Sequence, residues 1–596
     1  MTTYQAPVKD IQFLLSDVLQ YDRYSNLPGF ADTPHEVREA IFSEAAKVAE
    51  EVLHPLNYVG HVEGCVRHDD GRVTTPKGFR DAFRQLGEGG WLGLSAPSEY
   101  GGQDLPDTVS IAVGEMMSSA NMSLKMYGGL TRAAVAALLV KGTDEQKQRF
   151  IPNMLAGVWA GTMNLTEPHC GTDLGMLRTK AVRQADGSFR ISGTKIFITG
   201  GEQDLTDNII HLVLARIEGA PAGVKGISLF VAPKISINAD GSLGQANGVA
   251  CGSIEHKMGI RGSATCVLHF ENAQGWLVGS ENKGLEAMFI MMNEARLGCG
   301  TQALSQAVIA YQNAANYARD RIQGRSITGV RAPERAADPI IVHPDVRRML
   351  MTIRSFNEGA RALVLWTSLK NDVAHRTTNP EDKVVASDLI GLLTPVIKGV
   401  LSDKGFANAV LAQQIYGGHG YIMETGAEQF VRDARITMLY EGANGIQALD
   451  LVARKLPRED GRAIKTLIAE IDSFIQDNAS DPEFGTALDS LRASVFHLTQ
   501  ATTWLMKTAS KDPDGAISGS SDYMHLLGLV AIGYMWGLMI KTSRDKIHAG
   551  AKDEFLTTKI MTGGFFMDRL LPETAVHLTR IHAGGRNLMD IPEAAF

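Results

Sequence analysis

Residues 181–198 read Ala181-Val-Arg-Gln-Ala-Asp-Gly-Ser-Phe-Arg-Ile-Ser-Gly-Thr-Lys-Ile-Phe-Ile198, and they are the strongest indication of fold class. Apolar and polar residues alternate on both sides of Asp186-Gly187. An Asp-Gly pair between two alternating runs predicts a β-hairpin. Further strand-like runs rich in Ile, Val and Leu lie at 208–217, 226–235 and 264–270. The middle of the chain, residues 161–280, is therefore predicted to be an all-β domain.

Helical sequence flanks this β domain on both sides. Apolar residues recur at helical spacing in residues 34–52, and residues 285–321 predict one long, largely apolar helix. The polar linker 457–462 contains helix breakers and precedes a last helical block. We therefore predict four domains: a helical domain at 1–160, the β domain at 161–280, a helical domain at 281–456 and an additional helical domain at 463–596.

This order of domains excludes some functional classes. Helices followed by a β domain and more helices argue against a doubly wound sheet. The glycine-rich segment 417–422 neither follows a strand nor has the G-x-G-x-x-G spacing of a nicotinamide site. The net charge of −8 and the pI of about 6.1 argue against a nucleic-acid partner.

The five cysteines are widely spaced, odd in number and form no C-x-x-C pair. This pattern argues against a disulfide framework or a metal site, and it predicts a reducing, cytoplasmic location. Residues 523–540 contain no Lys, Arg, Asp or Glu and could by length span a bilayer. Glycines dilute the segment, so a buried helix without a membrane span is predicted.

The segment Asn164-Leu-Thr-Glu-Pro-His-Cys-Gly-Thr-Asp-Leu-Gly175 concentrates groups that bind ligands. Gly171 permits close approach of the backbone to a ligand, and the hydroxyls of Thr166 and Thr172 can bond to ring or phosphate oxygens. Loops of this composition are usually simple turns, so the residues alone do not decide whether this loop binds a ligand.

A series of motifs resembles those of the acyl-CoA dehydrogenase family and occurs in the order in which the family has them. The segment 164–175 resembles its first signature, with the Thr-Glu-Pro and Gly-Thr-Asp elements. The other matching segments are 97–102, 142–147, 193–201, 258–263, 414–421, 432–436 and 440–442. The resemblance spans about residues 35–455. It implies a helical N-terminal domain, a middle β-barrel or sandwich, and a C-terminal four-helix bundle, with an extra C-terminal helical domain here.

The resemblance implies FAD as the cofactor, and it assigns residues to the flavin. Those at the flavin ring or its pyrophosphate are Met163, Leu165, Thr166 and Thr172, with Phe197 beside the ring and Thr199 near flavin N5. Those that reach the FAD of a neighbouring subunit are Arg321, Gln414, Gly417 and Gly418. A homo-oligomer, either a dimer or a dimer of dimers, is therefore implied. Without the resemblance, Met163 and Phe197 would be core residues and Arg321 a surface charge.

The family oxidises an acyl-CoA to its trans-2-enoyl-CoA, and the resemblance makes Glu441 the base that removes the α proton. Burial beside the acyl chain would raise the pKa of such a base toward neutrality. Gly442 and Arg296 are assigned to the substrate, and an electron-transfer flavoprotein is the implied acceptor. The rival base Glu294 is one residue out of register with the family position, which turns a helical side chain by about 100°. By position alone, Glu441 would be a surface carboxylate.

Two departures from the family pattern stand out. Residues 443–445 read Ala-Asn-Gly, so a Thr hydroxyl and a Gln amide that contact FAD in the family are missing; Asn444 and Gln447 instead predict a capping box. The chain also extends far beyond residue 460. Its two ends resemble a long bacterial branch that includes the enzyme for 3-methylthiopropanoyl-CoA in dimethylsulfoniopropionate degradation.

The predicted substrate is therefore 3-methylthiopropanoyl-CoA or a short- to medium-chain acyl-CoA. Two alternatives stay open at this point. One is an acyl-CoA oxidase, and the other is a flavoprotein like the alkylation-response relatives, which binds nucleic acid.

Overall fold

The computed structural model describes residues 2–596. They form two compact units. Unit 1 contains residues 2–44, 111–119 and 299–596, and unit 2 contains residues 45–110 and 120–298. Neither unit is continuous in sequence, so residues from both ends of the chain share unit 1.

The α-helices are numbered in chain order. Helices α1 to α7 are Val8–Gln12, His35–Lys47, Pro55–Glu63, Phe79–Glu88, Asp107–Ala120, Met122–Lys141 and Asp144–Leu155. Helices α8 to α12 are Gly284–Asp320, Pro344–Arg376, Pro380–Ile415, Ala427–Arg435 and Asn444–Asp450. Helices α13 to α19 are Arg462–Asp477, Gly485–Thr508, Pro513–Ser518, Ser520–His548, Glu554–Arg569, Glu573–His582 and Arg586–Met589.

The strands all lie in unit 2. Strands β1 to β6 are Val66–Arg67, Val73–Thr74, Trp159–Asn164, Lys180–Arg183, Phe189–Thr199 and Asn208–Ile217. Strands β7 to β11 are Ile227–Pro233, Ile235–Ile237, Leu243–Ala246, Val249–Ile254 and Thr265–Val278. The predicted hairpin is confirmed as β4 and β5, which pair antiparallel across a turn where Gly187 has φ 80°.

The main sheet closes on itself. Strand β5 pairs with β4 and β11, β4 pairs with β6, β6 pairs with β7, and β7 returns to β11. The circuit is a barrel in which each of these five strands has two partners, and β10 pairs with β11 outside the circuit. Strand β7 is buried along its whole length and β6 nearly so, which places the core of unit 2 around them. Strand β3 adds to β6 in parallel orientation.

Unit 1 is a helical assembly around α16. Helices α9 and α10 pack along each other, and α16 contacts both of them as well as α14, α17 and α18. By length and composition, α10 and α16 could each cross a membrane, but the most apolar window of α16 is 89% buried within the protein. The predicted burial of residues 523–540 is confirmed. Core helices of this kind are apolar on all sides because protein surrounds them.

A buried cluster of charges ties the N-terminal residues into unit 1. The Arg361 guanidinium on α9 donates to the Glu115 carboxylate of α5 at 2.5 Å and to Asp10 of α1 at 2.5 Å. Lys559 of α17 pairs with Asp10 and, at 2.7 Å, with Glu358 of α9. Burial would raise the pKa of Asp10, but the two cations outweigh it and lower that pKa. Buried charges of this type are stable only when fully paired.

Candidate active site

Strand β5 contains a bulge at a residue predicted to contact the flavin. Ile196 and Phe197 of β5 together face the single residue Val267 of β11. Phe197 has φ 60° and is 59% exposed. The left-handed region is unfavourable for a bulky side chain, and bulges commonly redirect a side chain beside a functional site. The strand therefore presents an apolar ring outward at a conformational cost.

A buried ion pair fixes the loop that follows β3. Lys195 of β5 is fully buried, and its Nζ donates to the Glu167 carboxylate at 2.9 Å and to the Leu165 carbonyl oxygen at 3.0 Å. The Ile196 N–H donates to the carbonyl oxygen of Thr166 at 2.9 Å. The signature loop is thus held against the same strand that carries Phe197.

The Glu167 carboxylate organises the far side of the loop as well. It accepts from the Thr179 hydroxyl at 2.6 Å and from the N–H groups of Arg178 and Thr179. Burial would raise the pKa of Glu167, but the Lys195 ammonium and these hydrogen bonds outweigh it and lower that pKa. Burial lowers the pKa of Lys195 to about 8, with Glu167 opposing the shift. Glu167, His169 and Cys170 also bring possible metal ligands within 4.8 Å, but Lys195 and Thr179 already occupy the carboxylate.

The predicted flavin residues of unit 2 lie around this loop. Met163 and Leu165 are half-buried against the apolar cluster between the barrel strands and helices α6 and α7, Thr166 is half-buried, and Thr172 is exposed. Thr199 ends β5, two residues after Phe197. An exposed aromatic ring beside a rigid loop with hydroxyl groups fits the isoalloxazine and phosphates of FAD, which need an apolar face and hydrogen-bond donors.

Glu294, the rival base, is engaged elsewhere in unit 2. Its carboxylate pairs with the Arg132 guanidinium at 2.7 Å. Burial, with Arg132 adding to it, lowers the pKa of the neighbouring Lys125 to about 7, while Glu294 acts in the opposite direction. Glu294 therefore belongs to a charge cluster around Arg132. Arg296, predicted to neighbour the substrate, is buried on α8.

In unit 1, Glu441 lies on a short loop immediately before α12. Its φ is 59°, and Gly442 has φ 85°, so two successive residues adopt the left-handed conformation. The Glu441 side chain is half-buried rather than in open solvent. Burial raises the pKa of the Cys299 thiol to about 12, with nearby Glu441 adding to the increase and Lys398 opposing it. The carboxylate therefore lies close to buried groups.

The helix behind Glu441 holds this loop. The Gln447 side chain, fully buried on α12, donates from Nε2 to the carbonyl oxygens of Glu441 at 3.1 Å and Gly442 at 3.2 Å. The predicted capping box is wrong. Asn444 turns its amide toward α10 instead, and its Oδ1 accepts from Lys398 Nζ at 2.7 Å.

The residues assigned to the neighbouring subunit's FAD also meet in unit 1. Arg321 directly follows α8, and Gln414, Gly417 and Gly418 lie at the end of α10; all four are exposed. The two helix ends are joined by stacked rings of Tyr317 and Tyr416, with centroids 4.3 Å apart.

Sequence reasoning missed the residues that support the site. Lys195 was given no role, although it is a buried polar residue within the matching segment 193–201. Gln447 was predicted only as part of a capping box, whereas its buried amide holds the Glu441 loop. The available signal was a lysine at an inward position of β5, in alternation with the buried Phe189 and Ile191, which requires a buried partner.

Four family models match the chain in order. They are the acyl-CoA dehydrogenase N-terminal domain at 36–158, middle domain at 162–273 and C-terminal domain at 282–456, and an acetyl-CoA dehydrogenase C-terminal-like domain at 467–592.

Full-length relatives support the same assignment. The 3-methylmercaptopropionyl-CoA dehydrogenase of Ruegeria pomeroyi is 41% identical and covers 98% of this chain and 99% of its own length. A broad-specificity linear acyl-CoA dehydrogenase of Mycobacterium tuberculosis is 34% identical over the whole of both chains. An acyl-CoA dehydrogenase of Bacillus anthracis, solved with FAD, has a TM-score of 0.74 at 22% identity over 94% of this chain and 90% of its own. These matches confirm the predicted fold class and FAD cofactor, and the chain belongs to the acyl-CoA dehydrogenase family.

Proposed function

We propose that Glu441 is the base with which this FAD-dependent acyl-CoA dehydrogenase removes the α proton of its substrate. The observation that carries the proposal is the conformation of its loop. A glutamate at φ 59°, followed by Gly442 at φ 85°, is held by the buried Gln447 amide. Such strain persists only when the surroundings enforce it, and it is concentrated at functional sites.

The reaction requires a positioned carboxylate. The α C–H of a thioester is a very weak acid, so the base must lie within reach of the proton and the developing oxyanion must be stabilised. The α proton passes to Glu441, the β carbon gives up a hydride, and the double bond forms between the two carbons. FAD supplies the oxidant that accepts this hydride when it is bound. The loop around Glu167 and Phe197 would hold the cofactor.

The test is the variant Glu441→Gln, which retains the shape of the side chain but cannot accept the proton. We expect normal FAD content and a rate of anaerobic flavin reduction by acyl-CoA that is lower by at least about 100-fold. Glu294→Gln is the matched control and should reduce its flavin readily. Flavin reduction at the wild-type rate in Glu441→Gln would rule out Glu441 as the base.

We propose 3-methylthiopropanoyl-CoA as the substrate, with short- to medium-chain acyl-CoA thioesters as the alternative. The support is the full-length similarity to the Ruegeria pomeroyi enzyme, because its identity of 41% exceeds the 34% of the broad-specificity linear acyl-CoA dehydrogenase, which also aligns over its full length. Anaerobic titration of the holoenzyme with a panel of acyl-CoA thioesters, followed by flavin absorbance, tests this. Faster reduction by butyryl-CoA than by the methylthio compound would favour the alternative.

We propose an electron-transfer flavoprotein as the acceptor and a cytoplasmic location. The reduced enzyme must pass on two electrons, and an oxidase would pass them to dioxygen. Slow hydrogen peroxide formation in air, with rapid turnover once an electron-transfer flavoprotein is added, is the expected result. Rapid peroxide formation without that protein would identify an oxidase.

We also propose that the enzyme is a homo-oligomer. Next to Gly417 and Gly418, the side chains of Tyr421, Ile422 and Met423 are 86%, 50% and 43% exposed. An apolar patch of this kind beside residues assigned to a neighbour's FAD fits a second copy of the chain. Light scattering after gel filtration should give a dimer or tetramer, and Tyr421→Glu should lower the mass; a monomeric wild-type enzyme would contradict the proposal.

A further inference from the structure

Asn444 connects the Glu441 loop to helix α10. It is the first residue of α12, three positions after Glu441. Its Oδ1 accepts from Lys398 Nζ at 2.7 Å, and its Nδ2 donates to the Asp403 carboxylate at 2.7 Å and to the Ser402 hydroxyl at 2.9 Å. The base of the loop is therefore anchored on α10 by one side-chain amide.

The charges on α10 impose one orientation on that amide. Lys398 is fully buried and presents an N–H donor to this amide, while Asp403, five residues further along the helix, presents a carboxylate acceptor. An amide has an acceptor at one end and donors at the other. Only the observed orientation of Asn444 satisfies both partners, so the pair of charges fixes its position.

Asp403 is held in turn by the additional C-terminal helices. Its second carboxylate oxygen accepts from Nε2 of His525, on α16, at 2.9 Å. A carboxylate oxygen is an acceptor, so Nε2 is the donor in this hydrogen bond. The His525 ring stacks on that of His577, from α18, with centroids 5.7 Å apart, and His577 Nδ1 lies 2.7 Å from Asp522 Oδ1.

We infer that Asp403 and His525 are positioning residues for Glu441, through which the additional C-terminal helices set the geometry of the proton-abstracting loop. The inference rests on the proposed role of Glu441. His525 fixes the Asp403 carboxylate, and Asp403 fixes Asn444, two residues after the left-handed turn. Gln447 holds the carbonyl oxygens of the two residues of the turn itself. This gives the extra domain a role in the reaction itself.

The test compares His525→Leu with the conservative variant His525→Gln. The glutamine amide can replace the Nε2 donor, whereas leucine cannot. For His525→Leu we expect saturating flavin reduction slower by about 10-fold, because a misplacement of 1 Å at a reacting group can cost up to about 100-fold. KM should change less than kcat, FAD content should be normal, and His525→Gln should restore most of the rate.

His497→Leu is the matched control, because His497 is another histidine of the extra domain, on α14, with its Nδ1 3.0 Å from the Thr574 hydroxyl and no link to Asn444. It should reduce its flavin at the wild-type rate. An equal loss of flavin-reduction rate in His497→Leu and His525→Leu would overturn the inference. Flavin reduction at the wild-type rate in His525→Leu would overturn it as well.

If His525→Leu does not fold, His525→Asn replaces it, since the shorter amide cannot reach Asp403. Equal rates for His525→Asn and His525→Gln would then overturn the inference. A fully active Glu441→Gln would overturn the proposed base, whereas an inactive Glu441→Gln together with normal His525 variants would overturn only this inference.

Discussion

Phe197 and Glu441 share a backbone conformation that neither favours. Both have φ near 60°, in the left-handed region where side chains other than Gly, Asn and Asp are disfavoured. The motifs that contain them were readable in the sequence, but this conformation was not. For Phe197 it arises from the mismatch with β11, a strand distant in sequence. Conformational strain of this origin leaves no local sequence signal.

Phe197→Ala should separate cofactor binding from folding. Because the ring is largely exposed, its loss should change the free energy of unfolding of the FAD-free protein by only about 0.5 kcal/mol. Loss of FAD on gel filtration should increase, as followed by the ratio of flavin absorbance at about 450 nm to protein absorbance at about 280 nm. Phe496→Ala is the control, since Phe496 is also 59% exposed but lies on α14. Equal FAD retention in both variants would contradict the assignment.

The Glu167 carboxylate should make stability depend on pH. Its pKa in the folded protein lies below the ordinary value, so its interactions stabilise the fold above the unfolded-state pKa and are lost as the pH falls toward the folded pKa. At pH 7 wild type should exceed Glu167→Gln by about 1.5–3 kcal/mol in free energy of unfolding. In urea titrations this difference should shrink below about pH 4.3. A difference in free energy of unfolding that does not depend on pH would contradict the ion pair. The control Glu218→Gln, at an exposed site, should have almost the same free energy of unfolding as wild type.

At the level of elements, local sequence patterns predicted some strands well and others poorly. The hairpin was read correctly because alternation and Asp-Gly are local signals, and the strand Asn208–Ile217 was read correctly because it is rich in Ile, Val and Leu. The strand Trp159–Asn164 was missed because it is buried on nearly every residue and does not alternate, and it contains no Ile, Val or Leu. The capping box failed because Asn444 has stronger partners on α10.

Gln447→Leu should loosen the loop from the helix that follows it. Two carbonyl oxygens, those of Glu441 and Gly442, would lose their donor, at a cost of about 1–3 kcal/mol in the free energy of unfolding. Flavin reduction should slow by about 10-fold, because a loosened loop no longer holds the Glu441 carboxylate in place for proton abstraction. Stopped-flow absorbance measures this rate. Gln476→Leu, on the exposed side of α13, should react normally, and a normal rate for Gln447→Leu would show that the amide is dispensable.

For the whole molecule, the sequence did not indicate that residues 2–44 pack with residues 299–596. Hydrophobic periodicity reports which face of a helix is buried, but not its partner. The partner is specified here by charges hundreds of residues apart, with Arg361 pairing with both Asp10 and Glu115. Such pairing depends on the folded chain and has no counterpart in local spacing.

Arg361→Met should destabilise unit 1 severely. The change leaves two buried carboxylates without their shared cation, which typically costs about 3–5 kcal/mol. Chemical denaturation followed by circular dichroism gives the free energy of unfolding. Arg492→Met removes an exposed pair with Asp489 and should cost no more than about 1 kcal/mol. If both variants lose the same stability, the buried cluster contributes no more than a surface pair.

The left-handed turn at Glu441 also bears on enzyme engineering. A glutamate held in that conformation costs roughly 1–2 kcal/mol, which a glycine would not incur. A library screened for survival on heating alone should therefore enrich glycine or asparagine at this position and return robust but inactive proteins. Any programme of laboratory evolution on this enzyme would have to select for turnover alongside thermal tolerance in every round.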